Sequence, residues 1–404
     1  MTNKRCGTAL VIGGGIAGPV LAMALQKAGI EATVHEAYPR TAEDVGGGLS
    51  LAPNGLDALD VIGAAQAIRT VGKPMTGIVL QDWAGRRLAE FGNPPGVPPM
   101  RFYWRADLYA AIYGEAASRG IRTQYGKRIV RAVEDEDGVT AYFEDGTHAT
   151  GDVLIGADGI RSTVRSLIDP DAPSPSHAGL ISFGARVRTP GVPHTDGKMN
   201  MSFGKQGFFG YQVFDAEDAV WFVNLPHRET MTAAEAQKTT ASAWLTTLAD
   251  AFTGDRTPAR HLIDRTDPDD LMVIGSMENM PSQVPSWSKG RMVLAGDSVH
   301  APSSSSGQGA SLAIESAIEL ARCLRDLPYD QAFRAYEALR RPRVARVIKE
   351  TTRKNSDKTA GPLGRTLNGL ALRVFSKLVK PEKSAWMFDH TIDWDAEVPR
   401  PADA

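Results

Sequence analysis

The chain of 404 residues has few cysteines, no long apolar run and little net charge. Its two cysteines, Cys6 and Cys323, lie far apart in sequence and give no disulfide framework, which favours a reducing compartment. No run of about 18 apolar residues occurs, so no membrane-spanning helix is expected. Residues 1–8 lack the apolar core of a signal peptide. We therefore expect a cytoplasmic protein.

The charge balance gives no reason to expect a nucleic-acid or other polyanionic partner, because the formal net charge is −2. A basic stretch between Arg334 and Lys354 could be proposed to bind nucleic acid or acidic lipid, but a solvated helix face is the simpler interpretation. With 42% hydrophobic residues, the length predicts a globular protein of two or three domains, either a monomer or a dimer.

Residues 9–36 have the pattern of a strand, a glycine turn, a helix and a second strand. The turn is G-x-G-x-x-G: Gly13 permits the sharp turn, Gly15 lets the backbone approach a pyrophosphate, and Gly18 lets helix and strand pack closely. The free N–H groups and positive end of the helix favour phosphates. Glu36 closes the second strand, where an acid can accept hydrogen bonds from a ribose. We assign this turn, with Ala17, to dinucleotide binding.

Two stretches after this unit also suggest a ligand. Glycines 46–48 stand between a loop and a strand, where backbone can run close to a ligand, although a flexible loop is the alternative. Arg105 precedes a helix predicted over 106–118, where the helix dipole disfavours a cation. An anionic partner such as a phosphate would explain this arginine, and a plain surface position is the alternative.

A second strand-to-turn crossing follows the apolar run 153–155 and contains Asp158. An acid at the carboxyl end of a strand lies where ligands bind in open α/β sheets.

A third crossing begins with a strand predicted over 292–295 and continues through a predicted loop over 298–306. Asp297 can bind a sugar hydroxyl there, and the following helix starts near Gly309 and Ala310 with free N–H groups that suit the anionic edge of a reduced flavin. His300 and the serines at 303–306 would permit a hydrolase, but no G-x-S-x-G elbow accompanies them.

The pattern changes after a Pro- and Asp-rich stretch at 169–175. Strands are predicted over 180–189, 199–203, 208–214 and 219–225, a hairpin over 75–91, and a helical stretch over 233–252. One face of an antiparallel sheet is free to line a cavity, so aromatic residues here could bound an apolar substrate pocket. Plain core packing is the alternative for each of them. The predicted pocket residues are Phe203, Phe209, Tyr211 and Trp221.

The three crossings carry the motifs GGGIAG at 13–18, GADGIRS at 156–162 and GDSVHAPSSSSGQG at 296–309. In this order they resemble the single-component FAD-dependent aromatic hydroxylases, the group A flavoprotein monooxygenases typified by p-hydroxybenzoate hydroxylase. The resemblance covers nearly the whole chain. It implies an α/β fold with a doubly wound, glutathione-reductase-like FAD-binding sheet, an antiparallel β-sheet substrate domain and C-terminal helices, one of them predicted over 367–378. Ala37, Ser304 and Ser316 depart from the family pattern.

We expect the FAD-binding domain to comprise residues 1–72, 100–170 and 286–340. The substrate-binding β-sheet domain would comprise 73–99 and 171–285, and the C-terminal helical segment 341–404. The resemblance implies FAD contacts in all three motifs and at positions between them. The implied residues are Gly13, Gly15, Ala17 and Gly18 in the first turn, Glu36 at the adenosine ribose, Gly48, Arg105 at the diphosphate or ribityl chain, Val130 near the adenine, Asp158, Asp297, and Gly307, Gly309 and Ala310 beside the isoalloxazine.

The resemblance also implies the chemistry. NADPH or NADH would reduce FAD, O2 would add at flavin C4a, and the resulting hydroperoxide would hydroxylate an aromatic or polycyclic small molecule. Because the cofactor does the chemistry, no catalytic side chain and no metal ligand are assigned. Epoxidation, oxidation or halide chemistry on the same scaffold, and a non-catalytic flavin-binding protein, remain alternatives.

Overall fold

The computed structural model describes residues 5–40, 47–280, 284–302, 307–355 and 382–400. The predicted helix at 367–378 and the serines at 303–306 lie outside these ranges. The strands are β1 Thr8–Ile12, β2 Glu31–His35, β3 Gly48–Leu51, β4 Lys73–Met75, β5 Gly77–Asp82, β6 Arg87–Gly92, β7 Met100–Trp104, β8 Arg122–Gln124, β9 Ile129–Glu134, β10 Val139–Phe143, β11 His148–Gly151, β12 Val153–Gly156, β13 Ser176–Val187, β14 Lys198–Phe203, β15 Phe208–Asp215, β16 Asp218–Pro226, β17 Leu271–Asn279, β18 Ser288–Lys289 and β19 Met292–Leu294.

The helices alternate with these strands and gather toward the C-terminal end. They are α1 Ala17–Lys27, α2 Pro53–Val61, α3 Ala65–Val71, α4 Arg105–Ser118, α5 Thr163–Ile168, α6 Ala233–Ala236, α7 Ala241–Ala251, α8 Ala259–Asp264, α9 Asp297–His300, α10 Gly309–Asp326, α11 Tyr329–Asn355 and α12 Glu382–Phe388. None of those searched in the described ranges is both long and apolar enough to cross a bilayer.

A largely parallel sheet has the strand order β18-β19-β12-β1-β2-β8. Strand β1 pairs in parallel with β2 and β12, and β12 pairs in parallel with β19. The three motif turns follow β1, β12 and β19, which are adjacent strands. Because parallel strands end at the same edge, the sheet brings the three turns together.

Helices α1 and α10 cover this sheet with small and branched apolar side chains. Leu21 and Leu25 of α1 and Ile314 and Ile318 of α10 are completely buried. These positions recur at helical spacing, so each helix turns one continuous apolar face to the core. The packing of α10 on the sheet therefore fixes its N-terminal end, which lies at the third motif.

The second large sheet has the order β17-β13-β16-β15-β14-β5-β6, antiparallel except for the β14–β5 pair. Side chains alternate between its two faces. On the outer face, Phe183 and Trp221 pack beneath α7 and α8, together with Phe252. On the inner face, Met201 and Phe222 pack toward β7. The sheet is therefore apolar on both sides.

Most predicted elements are confirmed. The hairpin at 75–91 is the β5–β6 pair, and the four predicted strands are β13 to β16. The helical stretch at 233–252 is interrupted, because the Thr240 side chain accepts a hydrogen bond from Ala243 N and starts α7 afresh. The predicted loop at 298–306 was wrong at its beginning, where Asp297–His300 form one helical turn.

The structure places three of the four predicted pocket aromatics in the outer-face core. Phe209 and Trp221 have no exposed surface and Tyr211 has 9%. The Phe209 ring packs 5.5 Å from that of Phe252, and Trp221 Nε1 donates to Thr266 Oγ1 at 2.9 Å. These side chains do not line a cavity, because α7 and α8 cover their face. Strand alternation shows which residues share a face, but not which face later helices will cover.

Phe209→Ala should therefore lower the free energy of unfolding by about 3–5 kcal/mol, because it leaves a cavity in a closed core. Phe203→Ala is the matched control, since Phe203 is partly exposed on the inner face and should cost much less. Urea unfolding followed by circular dichroism measures both. A Phe209→Ala protein with unchanged stability but weaker ligand binding would restore the pocket assignment.

Candidate functional site

The first glycine turn is closed on one side and open on the other. Gly13 adopts a φ of 106°, and a Cβ there would lie 2.4 Å from the Ala157 carbonyl oxygen, so only glycine lets the first and second motifs touch. A Cβ on Gly18 would lie 1.9 Å from Gly13 O. A Cβ on Gly15 would meet nothing within 4 Å. The turn thus has room for a ligand where the motif predicts a pyrophosphate.

Glu36 is held in place by backbone groups. Its Oε2 accepts a hydrogen bond from Gly14 N at 2.5 Å, and its Oε1 accepts one from Tyr38 N at 2.8 Å. Tyr113 donates its hydroxyl hydrogen to Gly14 O on the same turn. A carboxylate has about four acceptor sites, so capacity remains for ribose hydroxyls.

The Asp158 carboxylate accepts hydrogen bonds from residues in and just after the second motif. Its Oδ1 accepts from Ser162 Oγ at 2.5 Å, and its Oδ2 accepts from Thr163 N at 2.8 Å and from Val164 N at 3.1 Å. Burial raises the pKa of this carboxyl, and the hydrogen bonds oppose that rise. Asp158 therefore caps α5 and fixes the turn; its predicted contact with a cofactor stays a prediction.

Asp297 and Arg105 meet at the third motif. Asp297 has solvent-exposed surface, although many protein atoms surround its carboxylate. Burial raises its pKa, whereas the positive charge of Arg105 lowers it. Arg105 N donates to Gly47 O at 3.1 Å, while its guanidinium forms no salt bridge with a carboxylate in the described residues. The predicted contact of Arg105 with an anionic ligand stays a prediction.

Arg165 was missed by sequence reasoning, although it joins the second and third motifs. It is 4% exposed and donates to Ser298 O at 2.8 Å and to Ile160 O at 2.9 Å. Ser298 Oγ in turn donates to Gly156 O at 2.7 Å. The sequence contained one signal for this role, because Arg165 lies on a helix face that is otherwise apolar.

Gly307 and Gly48, two glycines that the resemblance implies contact FAD, lie close to side chains of β3 and β7. A Cβ on Gly307 would lie 2.9 Å from Met100 Cε, and one on Gly48 would lie 2.0 Å from the Phe102 ring. Gly309 and Ala310 begin α10, as predicted. The glycine-rich segments from opposite ends of the chain therefore border one region.

Val130 is the second residue of β9 and is 51% exposed. Its segment reaches Glu36 through Lys127, whose N donates to Glu36 O at 2.7 Å. The strand thus runs beside the position predicted for the adenosine, and the role of Val130 stays a prediction.

A buried charge network stands behind the third motif. Glu315 has no exposed surface; its carboxylate pairs with Arg340 Nη1 at 2.7 Å and with Arg343 Nη2 at 2.7 Å. Asn54 Nδ2 donates to Glu315 Oε1 at 2.6 Å and to Gln308 Oε1 at 3.1 Å. Burial alone would raise the pKa of Glu315, but the two arginines outweigh it and hold the pKa at about 2. The network connects Gln308, which immediately precedes α10, to α2 and α11.

This network corrects the interpretation of the basic stretch as a solvated face in part, since Arg334, Arg346 and Lys349 are exposed while other arginines turn inward. Arg340 is 2% exposed and Arg343 is largely buried against Glu315. Arg341 pairs with Glu337 at 2.6 Å, and Arg346 stacks 3.5 Å from the Trp386 ring. These four cations are engaged within the chain.

The comparisons with known proteins decide the family. A family model described as an FAD binding domain matches residues 7–351. The chain belongs to this FAD-binding family. The predicted resemblance to the FAD-dependent aromatic hydroxylases is confirmed.

The relatives of this FAD-binding chain are hydroxylases and monooxygenases. It is 30% identical over 364 residues to an FAD-dependent urate hydroxylase of Klebsiella pneumoniae, covering 87% of this chain and 90% of that protein. It is 28% identical to 6-hydroxynicotinate 3-monooxygenase of Pseudomonas fluorescens, covering 83% and 88%. The structure of Klebsiella pneumoniae HpxO with FAD and uric acid superposes with a TM-score of 0.81 at 26% identity, covering 95% and 96% of the two chains.

Glu315→Gln should destabilise the protein and weaken FAD binding about tenfold or more, because two buried guanidinium groups lose their counter-charge and one amide oxygen is left to accept from Arg340, Arg343 and Asn54. Fluorescence titration of the apoprotein with FAD measures the Kd, and calorimetry measures the Tm.

Glu319→Gln is the matched control. Glu319 lies one turn later in α10, is 6% exposed, and pairs with Arg322 at 2.6 Å without touching Asn54 or Gln308. It should lower the Tm but leave FAD affinity unchanged. Equal loss of FAD affinity in both variants would refute the ring-side role of Glu315.

His300 should make the protein acid-sensitive. It is 1% exposed, its Nε2 lies 2.8 Å from Ser316 Oγ, and burial, helped by Arg340, lowers its pKa to about 3. Between this value and the ordinary pKa of about 6.5, the unfolded chain binds a proton that the native chain does not, so stability falls as pH falls. At pH 5 the loss from this group is about 2 kcal/mol. His300→Gln should flatten the dependence of unfolding free energy between pH 7 and 5; an unchanged slope would contradict the assignment.

Proposed function

We propose that the protein is an FAD-dependent monooxygenase that uses NADPH or NADH and O2 to hydroxylate an aromatic or polycyclic small molecule. One observation carries the proposal: three turns of the FAD-binding family motifs meet at one sheet edge, with an open glycine turn, an oriented acid and an available arginine. Hydroxylase relatives that align over most of the chain support the same reaction class. The scarcity of cysteine supports a cytoplasmic location.

The described residues fit an extended FAD. Glu36 would receive the adenosine ribose, the turn from Gly13 to Ala17 the diphosphate, and Arg105 and Asp297 the section next to the ring. The ring would lie beside Gly48 and the segment 307–310. We retain the predicted domain division and the doubly wound, glutathione-reductase-like arrangement as part of this proposal.

Bound FAD would supply hydride acceptance and oxygen activation, which no side chain can provide. The protein would contribute electrostatics and exclusion of water. The N-terminus of α1 and the Arg105 guanidinium would stabilise the diphosphate, and the N-terminus of α10 would favour negative charge on the ring. The apolar side chains on the inner face of the seven-stranded sheet would help to keep water from the reacting centre.

The test starts with holoprotein reduced anaerobically by NADPH or NADH and then mixed with isotopically labelled O2 and phenolic or polycyclic compounds. We expect flavin reduction and a product that carries one labelled oxygen atom, measured by mass spectrometry. Hydrogen peroxide without oxygenated product would favour an oxidase, and absence of reduction would favour a flavin-binding protein. Epoxides in place of hydroxylated products would change the reaction class.

A glycine pair tests the site itself. Gly15→Val should fold yet lose FAD, because a Cβ at this position meets no atom within 4 Å and the valine side chain would fill the proposed ligand space. Gly92→Val is the matched control, since that site is equally open and ends β6, away from the three turns. The flavin absorbance of each purified protein gives the result.

A further inference from the structure

An apolar patch that is not fully covered lies between the inner face of the seven-stranded sheet and the strands β4 and β7 of a three-stranded sheet. Its buried members are Met75, Phe102, Met199 and Val220, and its partly exposed members are Ile78, Met100, Trp104, Met201, Phe214 and Phe222. The partly exposed members keep aromatic rings and thioethers accessible. We call this group of ten residues the inner patch.

The inner patch borders both glycine segments of the candidate site. Met100 Cε approaches Gly307, and the Phe102 ring approaches Gly48. A Cβ on Gly47 would lie 3.6 Å from Met272 Sδ, on the strand next to β13. A molecule that meets the cofactor between these segments therefore meets the inner patch.

The cations at the inner patch are already neutralised. Lys73 Nζ lies 4.9 Å from the Phe214 ring and 2.7 Å from Asp218 Oδ2. Arg186 lies 5.5 Å from the Trp104 ring, and its Nε is 2.8 Å from Asp218 Oδ1. Within the described ranges, no other lysine or arginine has a recorded contact with a ring of the patch. Lys73 Nζ also lies 3.8 Å from Asp215 Oδ2, so two carboxylates balance the two cations, and Asp218, which is 4% exposed, contacts both of them.

Lys198 precedes Met199 in β14, so its side chain lies on the opposite face of the sheet from the inner patch, where its Nζ is 2.6 Å from Glu90 Oε1. Burying a carboxylate substrate without an available counter-charge costs far more free energy than burying a neutral ring. The charge arrangement therefore disfavours an anionic substrate at this patch.

Two buried side-chain polar atoms, one donor and one acceptor, lie on the patch side. Trp104 Nε1 and Gln212 Oε1 are buried without a hydrogen-bond partner among the described residues. Gln212 has no exposed surface and lies two residues before Phe214 in β15, so both side chains share the inner face. One donor and one acceptor suit a hydroxyl or a ring carbonyl, because buried polar groups favour partners.

We propose that the substrate is an uncharged, largely apolar aromatic ring system bearing a hydroxyl or ring carbonyl, and that Asp218 enforces this choice by neutralising Lys73 and Arg186. This inference rests on the proposed monooxygenase function. It assigns to Asp218 a specificity role at the substrate-facing sheet, outside the cofactor motifs.

The probes are 2-naphthol and 2-naphthoate, which share a ring system and differ in charge near neutral pH. Calorimetric titration of the FAD-loaded protein measures both Kd values, and perturbation of the flavin spectrum reports proximity to the ring. We expect 2-naphthol to bind about tenfold or more tightly than 2-naphthoate. Equal or tighter binding of 2-naphthoate would overturn the inference.

Asp218→Asn provides a gain-of-binding test, because it releases the charges of Lys73 and Arg186 toward the patch. The variant should bind 2-naphthoate several-fold more tightly while its affinity for 2-naphthol stays unchanged. Glu90→Gln is the matched control: it releases Lys198, which has no recorded ring contact with the patch, and should change neither Kd. Unchanged 2-naphthoate binding in a folded Asp218→Asn protein would refute the role of Asp218.

The two proposals fail in different ways. A protein that takes up no FAD, or whose FAD is not reduced by NADPH or NADH, defeats the proposed function. A protein that is reduced normally but prefers 2-naphthoate defeats only the inference about substrate charge.

Discussion

The buried carboxylate of Glu315 is the group on which the position of the start of α10 depends. A lone charge without exposed surface would be strongly unfavourable, so its partners must be held in position. Those partners come from α11 and α2, and the second hydrogen bond of Asn54 reaches Gln308, immediately before α10. The start of α10 is therefore fixed by electrostatics behind it as well as by the apolar face that packs on α1.

The parallel sheet performs the corresponding task for the other motifs. Three adjacent strands end at one edge, and the close approach of Gly13 to Ala157 and the Arg165–Ser298 hydrogen bond tie their turns together. Each tie crosses more than a hundred residues of sequence. The site therefore forms only when the whole sheet has formed, although each turn has its own local geometry.

The sequence predicted what local chemistry determines. The glycines of the first turn, the acid at Glu36 and the strand alternation around Phe209 all follow from short-range rules, and the corresponding elements are present. It did not reveal that α7 and α8 cover the face carrying Phe209 and Trp221, nor that Arg340 and Arg343 turn inward to Glu315. Both depend on the packing of distant elements, and neither apolar alternation nor a run of basic residues contains that information.

The fixed carboxylate of Glu36 has a consequence for nucleotide discrimination. Since Gly14 N and Tyr38 N hold both of its oxygens, the acid cannot swing aside to make room. A free ribose hydroxyl can donate to it, whereas a phosphate ester at that hydroxyl would bring two anions together in a partly buried site. On the proposed placement of the adenosine ribose at Glu36, this site would disfavour a 2′-phosphorylated dinucleotide, so NADPH as the reductant would not compete with FAD for it.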